Sequence, residues 1–180
     1  MNSRYATPVS IVAIAAISLA CNCRWFKTQA QIQALFDESD YVFVGRPIKT
    51  INPYEKSSNK RNLGRDIMVK VISAKKGVYK SDAVIILQGE SNCAKYFIQK
   101  DSVIVFGHKI ENINRVSSQS EKQYTAFDYE TKTIYINREN KMFKQYKVLQ
   151  AKYDAVETTQ CISFSLRYRP VAEFMQSLKK

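Results

Sequence analysis

The chain has 180 residues, with 28 Lys and Arg against 16 Asp and Glu, a net charge of +12. That length suits one domain with its own core, or a small domain and a tail. With one histidine, His108, and four cysteines, the composition argues against catalysis by a cysteine–histidine pair and against a structural zinc site. A strongly basic chain attracts nucleic acid, acidic polysaccharide or anionic lipid. Here the Lys and Arg are scattered, with tight clusters only at Lys75-Lys76 and Lys179-Lys180, so the charge reads first as solubility.

Residues 1–20 read as a secretory signal. Arg4 makes a basic start, Pro8 to Ala20 is an uncharged apolar run, and Ser18-Leu19-Ala20 ends it with small residues at the two positions a signal peptidase inspects. As a helix the run spans roughly 20 Å, short of the ~30 Å hydrocarbon core. Cleavage after Ala20 would make Cys21 the first residue of a single extracytoplasmic domain, 21–180, secreted or periplasmic. Cys21, Cys23, Cys93 and Cys161 would then meet oxidising conditions, and an even count predicts two disulfides. Cys21 and Cys23 are too close to pair comfortably with each other, so each is expected to reach either Cys93 or Cys161, and the sequence leaves that choice open.

Gln29 to Phe36 reads as a short amphipathic helix with Thr28 as its cap. Tyr41 to Gly45 reads as a strand, bent or ended by Gly45-Arg46-Pro47. Asn52 to Arg65 reads as a polar loop. Asp66 to Ala74 alternates as a strand, Gly77 marks a turn, and Ala83 to Leu87 reads as a strand covered on both faces. After a turn at Gly89 to Cys93, Ala94 to Ile98 is expected to make a helical turn, and Ser102 to Gly107 a second apolar strand. Glu111 to Lys122 is polar. Tyr124 to Tyr129 and Thr133 to Asn137 flank Glu130-Thr131-Lys132 as a hairpin. Lys147 to Ala155 is read as a strand, and Pro170 opens a last helix to about Leu178, striped by Val171, Phe174, Met175 and Leu178. Many short strands, few helices and no βαβ rhythm predict a mainly β protein, a five-stranded OB-type barrel with short flanking helices.

Other chemistry is sparse. There is no GxSxG elbow, P-loop or GxGxxG. Asp37, Glu38 and Asp40, and Asp128 with Glu130, are conceivable glycosidase carboxylates but read as helix-end and turn residues. Tyr124, Phe127, Tyr129 and Tyr135 could stack bases on a barrel face, though cross-strand packing is their ordinary use. The chain is therefore read as no enzyme, with no cofactor and no nucleic-acid partner.

Several segments, in order, resemble the netrin-like and tissue-inhibitor-of-metalloproteinases superfamily. They are Cys21-Asn22-Cys23, the Phe36–Arg46 stretch FDESDYVFVGR, Ile67 to Gly77, Gly89 to Gly107 with Cys93 inside it, and Thr159-Gln160-Cys161. The resemblance covers about 21–161, with a hairpin-sized insertion near 112–150. It implies an OB barrel to which the CxC segment is pinned by two disulfides, Cys21 with Cys93 and Cys23 with Cys161. In inhibitory members the amine and carbonyl of the first cysteine chelate the protease's zinc. Carried over, Cys21 would be the zinc ligand, Asn22 would enter the specificity pocket, and Cys23 would complete the contact segment. This chain lacks the inhibitors' third N-terminal-domain disulfide and their cysteine-rich second domain, and its segment between Cys23 and Asp40 is longer. The expectation is thus a binding module for a protein partner, with inhibition of a zinc metalloproteinase as the alternative. Ser18-Leu19-Ala20-Cys21 also resembles a lipoprotein box, with Ser18 and Leu19 out of pattern. A lipid anchor at Cys21 would block both its sulfur and its amine.

Overall fold

A computed structural model describes residues 26–52, 61–88, 93–115, 127–136 and 140–178. The first element, α1 (Gln29–Glu38), starts in a capping box. Thr28 Oγ1 accepts from Gln31 N and Gln31 Oε1 accepts from Thr28 N, so two orphan amides are satisfied reciprocally. Ile32 and Leu35 are buried. At the other end the Lys76 ammonium donates to the carbonyls of Phe36 (2.8 Å) and Asp37 (2.7 Å), where the helix dipole favours a cation.

Next come β1 (Tyr41–Thr50), β2 (Asn62–Gly64), β3 (Ile67–Lys76), β4 (Ala83–Ile86), β5 (Phe97–Ile98), β6 (Val103–Lys109), β7 (Asn112–Arg115), β8 (Phe127–Asp128) and β9 (Thr133–Ile136). Then follow α2 (Asn140–Lys152), β10 (Asp154–Glu157), β11 (Ser163–Ser165) and α3 (Arg169–Ser177). Five strands close a barrel in the order β1-β3-β4-β10-β6 and back to β1, as the OB-type expectation required. All its pairings are antiparallel except β4 with β10, where Asp154 lies opposite Val84 and Val156 opposite Ile86. Inside lie Phe43, Val69, Val84, Val105 and Val156. Outside, α1 and α3 cover one flank through Ile32, Ile104, Phe106, Val171 and Phe174. The segment inserted between β6 and β10 covers another, through Ile85, Ile113, Ile134, Met142 and Tyr146.

Five expectations need correction. The polar loop expected over 52–65 gives way at Asn62–Gly64 to β2, which pairs with β5. β1 does not end at Gly45-Arg46-Pro47. It runs on to Thr50 and absorbs the bend as register shifts at Val44/Gly45 and Pro47/Lys49. Residues 94–98 form no helical turn, because Phe97 is buried and pairs through β5 with β2. Residues 147–152 are helix, and the strand begins only at Asp154. Met142, Tyr146 and the half-buried Leu149 recur at helical spacing and face the core. The polar run after Glu111 hides β7, anchored by Ile113 alone. The insertion is therefore more than the expected hairpin. The antiparallel β8–β9 pair is present, and β7 pairs parallel with β9 beside α2. The turn at 89–92 and the hairpin ends at 124–126 and 137 fall outside the described residues.

Candidate functional site

Because β4 and β10 run parallel side by side, the segments leaving their ends set out together. Leu87 N extends the ladder to Val156 O (3.1 Å). Further on, Gln160 N donates to Cys93 O (2.8 Å), so the Cys93 and Cys161 segments converge on one rim. Cys161 N is turned by Thr159 Oγ1 (3.2 Å). Both cysteines are disulfide-bonded, and there is no free thiol among the described residues. Cys21, Asn22 and Cys23, the expected partners and contact residues, lie outside the described residues.

The described chain begins at Phe26, and its position is informative. Its carbonyl accepts from the Tyr168 hydroxyl (3.0 Å), and its ring meets Phe164 edge-on, with centroids 6.0 Å apart. Phe164 stacks on Tyr168 (5.4 Å) and touches Phe106 (5.8 Å). Phe164 belongs to β11, which pairs with β6 just after Cys161.

The Cys93 segment is tied to the barrel by buried polar groups. The Gln88 amide donates to Arg65 O (2.8 Å) and Lys95 O (2.9 Å) and accepts from Lys95 N (2.6 Å). Gln88 N donates to Asp66 Oδ1 (3.0 Å), and Asp66 Oδ2 accepts from the Tyr146 hydroxyl (2.8 Å). Lys95 donates its ammonium to Ser163 O (2.8 Å), and burial holds its pKa below the usual lysine range. Outside this lattice, Tyr96 and Ile98 are 57% and 43% exposed, and the Arg65 guanidinium stands 6.0 Å from the Tyr96 ring centre. Tyrosine and arginine on an exposed ledge are residue types that dominate protein interfaces.

The other singled-out residues have structural occupations. Burial raises the Asp40 carboxyl, but hydrogen bonds from Lys132 Nζ (2.8 Å) and Lys109 N (2.9 Å) outweigh it and hold the group below the ordinary range. Asp128 closes its own turn, accepting from Thr131 Oγ1 (2.7 Å) and Glu130 N (2.9 Å). Asp37 accepts from Gln33 (2.8 Å). Of the aromatics, Phe127 and Tyr129 pack on each other and on His108, at 5.0, 6.1 and 4.9 Å between centroids, and Tyr135 is exposed. Tyr124 is outside the described residues. Burial lowers the His108 pKa.

Sequence reasoning missed Glu157, which lies directly opposite His108 across the β6–β10 pair. It is only 6% exposed, and its Oε2 has no hydrogen-bond partner, unlike every other buried side-chain oxygen or nitrogen among the described residues. Burial pushes its pKa to about 7. The signal was a second acid, Glu157, closing the short run Asp154-Ala155-Val156-Glu157, whose four residues are all buried.

Among the described residues no group of three or more His, Cys, Asp or Glu could hold a metal ion, and no helix is long and apolar enough to cross a membrane. The chain matches no protein-family model, no curated protein and no solved structure.

Proposed function

We propose that the chain is an exported netrin-like binding module that meets a protein partner through its Cys21-Asn22-Cys23 tip and the neighbouring ledge of Tyr96, Ile98 and Arg65. The observation that carries this reading is the docking of Phe26 on Phe164 and Tyr168. Cys23 precedes Phe26 by three positions and Cys161 precedes Phe164 by three. Three residues of chain span at most about 10 Å. Two stretches anchored to each other are therefore separated from Cys23 and from Cys161 by the same short run of chain, and the Cys93 segment is bonded beside Cys161 through Gln160 N. That arrangement suits the pairing of Cys23 with Cys161 and Cys21 with Cys93, and such staples would present the tip with little ordering entropy left to lose on binding.

One specific version of the reading, which rests on the resemblance at Cys21-Asn22-Cys23, is a zinc metalloproteinase inhibitor. A neutral α-amine and a carbonyl oxygen at Cys21 are competent zinc ligands and together displace the catalytic water. The test is inhibition of a panel of zinc proteases by protein beginning at Cys21, beside a variant extended by one residue. Loss of inhibition on extension is expected if the amine binds the metal. Inhibition that survives extension removes the chelation mechanism. Absence of inhibition across the panel leaves the binding module, which non-reducing peptide mapping then tests. A Cys21–Cys23 bridge, or a diacylglyceryl-modified Cys21, would end the stapled-tip reading altogether.

A further inference from the structure

Helix α2 carries four lysines and no acidic residue in thirteen positions. Lys144, Lys147 and Lys152 are exposed, and among the described residues none of them has a carboxylate within ion-pair distance. Lys144 and Lys147 lie one turn apart, where like charges repel. Lysines early in a helix also face the positive end of its dipole. Of the four, Lys152 in the last turn sits where the helix dipole favours a cation; Lys144 and Lys147 do not. The apolar face of the helix is already spent, since Met142 and Tyr146 are buried in the core.

The C-terminal half of α2 borders a cavity of ≈ 510 Å³, where Lys147 meets Lys80 and Lys109 across the cleft, with Gln150 between them. A second cavity of ≈ 440 Å³ shares Lys80, Lys109 and Asp154 and continues along Tyr79. The carboxylates in the cleft are engaged. Glu111 pairs with Lys109 (3.1 Å), and buried Asp154 accepts from the Tyr41 hydroxyl (3.1 Å) and from Lys80 N (2.6 Å). Lys80 Nζ donates to Gln150 O (3.2 Å), and the Lys147 ammonium lies over the Phe143 ring, 5.8 Å from its centre. The cleft lies where β4 and β10 begin, whereas Cys93 and Cys161 follow their far ends.

We propose that this cleft and the lysine face of α2 bind a carboxylated or sulfated polysaccharide, at a site separate from the cysteine rim and independent of its reading. Cavities of this size take a few sugar units. Lysine ammoniums with no arginine among them suit anionic groups spread along a polymer better than the planar, bidentate contacts of arginine with phosphate. Tyr41 is buried and Tyr79 partly so, which leaves no exposed ring in the cleft for a nucleobase to stack on. With its apolar face in the core, α2 has none to insert into a membrane.

The full chain is titrated calorimetrically with polygalacturonate and with a heparin fragment at 50 and 200 mM salt. Saturable binding is expected to at least one polymer, weakening at the higher salt as screening requires. Lys80→Gln/Lys144→Gln/Lys147→Gln should weaken it about tenfold or more, a step of roughly 1.4 kcal/mol. Arg46→Gln/Lys49→Gln/Lys70→Gln removes the same charge from exposed positions on β1 and β3 and should weaken it less than twofold. All six side chains are exposed, and far-UV circular dichroism confirms folding of both variants. The proposal is overturned if neither polymer saturates, if the control variant loses as much affinity, or if a DNA duplex or phosphatidylglycerol vesicles bind more tightly than both polymers.

Discussion

Glu157 concentrates the cost of burying charge in one carboxyl. Its Oε2 has no partner, and its pKa stands at about 7 against an ordinary 4.5. Because the folded value is raised, the stability contributed by the neutral acid is complete below about pH 4.5. It is lost as pH rises through 7 and changes little above that. The span corresponds to a penalty on the order of 3 kcal/mol at alkaline pH. The titratable groups facing it are His108 across the strand pair and Tyr129 from the hairpin above. His108 acts in the opposite sense. Its depressed pKa means that stability is lost as pH falls below 6.5. Glu157→Gln buries a similar polar head without the charge, so the difference between the two proteins isolates the carboxylate. The variant should melt higher than wild type at pH 8, and that advantage should shrink steadily towards pH 4.5. Thermal unfolding followed across this range measures it, and a difference independent of pH would show that Glu157 ionises with the same pKa in the folded and unfolded chains.

At the scale of elements, what the sequence made legible was what local pattern encodes. The Thr28 cap of α1, the apolar runs of β4 and β6, the β8–β9 hairpin and the Pro170 start of α3 all stand where their residues placed them. The misread elements are those whose structure is decided by distant partners. β5 is two residues long and exists because β2 pairs with it, and β7 has one buried residue to betray it. The 147–155 stretch mixes the end of a helix with the start of a strand, and each supplies apolar residues to a window that a single period cannot fit. β1 lies between these cases. Gly45 and Pro47 look like breakers, yet Gly45 is needed where β1 pairs with β3. A Cβ there would run into Val69 Cγ1 and press on the Phe43 ring. Gly45→Ala should therefore cost about 1–3 kcal/mol through overpacking. In a Val69→Ala background the same change should cost less, because the atom it strikes is gone. Urea unfolding of the four proteins gives the coupling, and strict additivity would place the strain elsewhere.

At the scale of the whole molecule, the four cysteines were readable as a set, but the place where the Cys93 and Cys161 segments converge was not. That depends on β4 and β10 lying parallel, a pairing made across the whole inserted segment and carrying no local signature. Nor could sequence reveal that Phe26 is held by residues of β11 and of the turn before α3. This contact fastens the earliest described residues to the last helix, and one hydrogen bond, from the Tyr168 hydroxyl to Phe26 O, is its polar component. Tyr168→Phe deletes that bond while keeping the ring that stacks on Phe164. A neutral hydrogen bond contributes about 1 kcal/mol net, which corresponds to roughly a fivefold larger population of the locally opened segment. Lys27 follows at once and is exposed, so trypsin reports on that opening. When reclosing is faster than cleavage, the cutting rate tracks the open population. Cleavage after Lys27 should accelerate about fivefold in Tyr168→Phe, while cleavage at Lys144 and Lys147 on α2, remote from the contact, keeps its wild-type rate. A uniform rise at all three sites would mean that the hydroxyl supports the fold globally and does not specifically restrain the segment at Phe26.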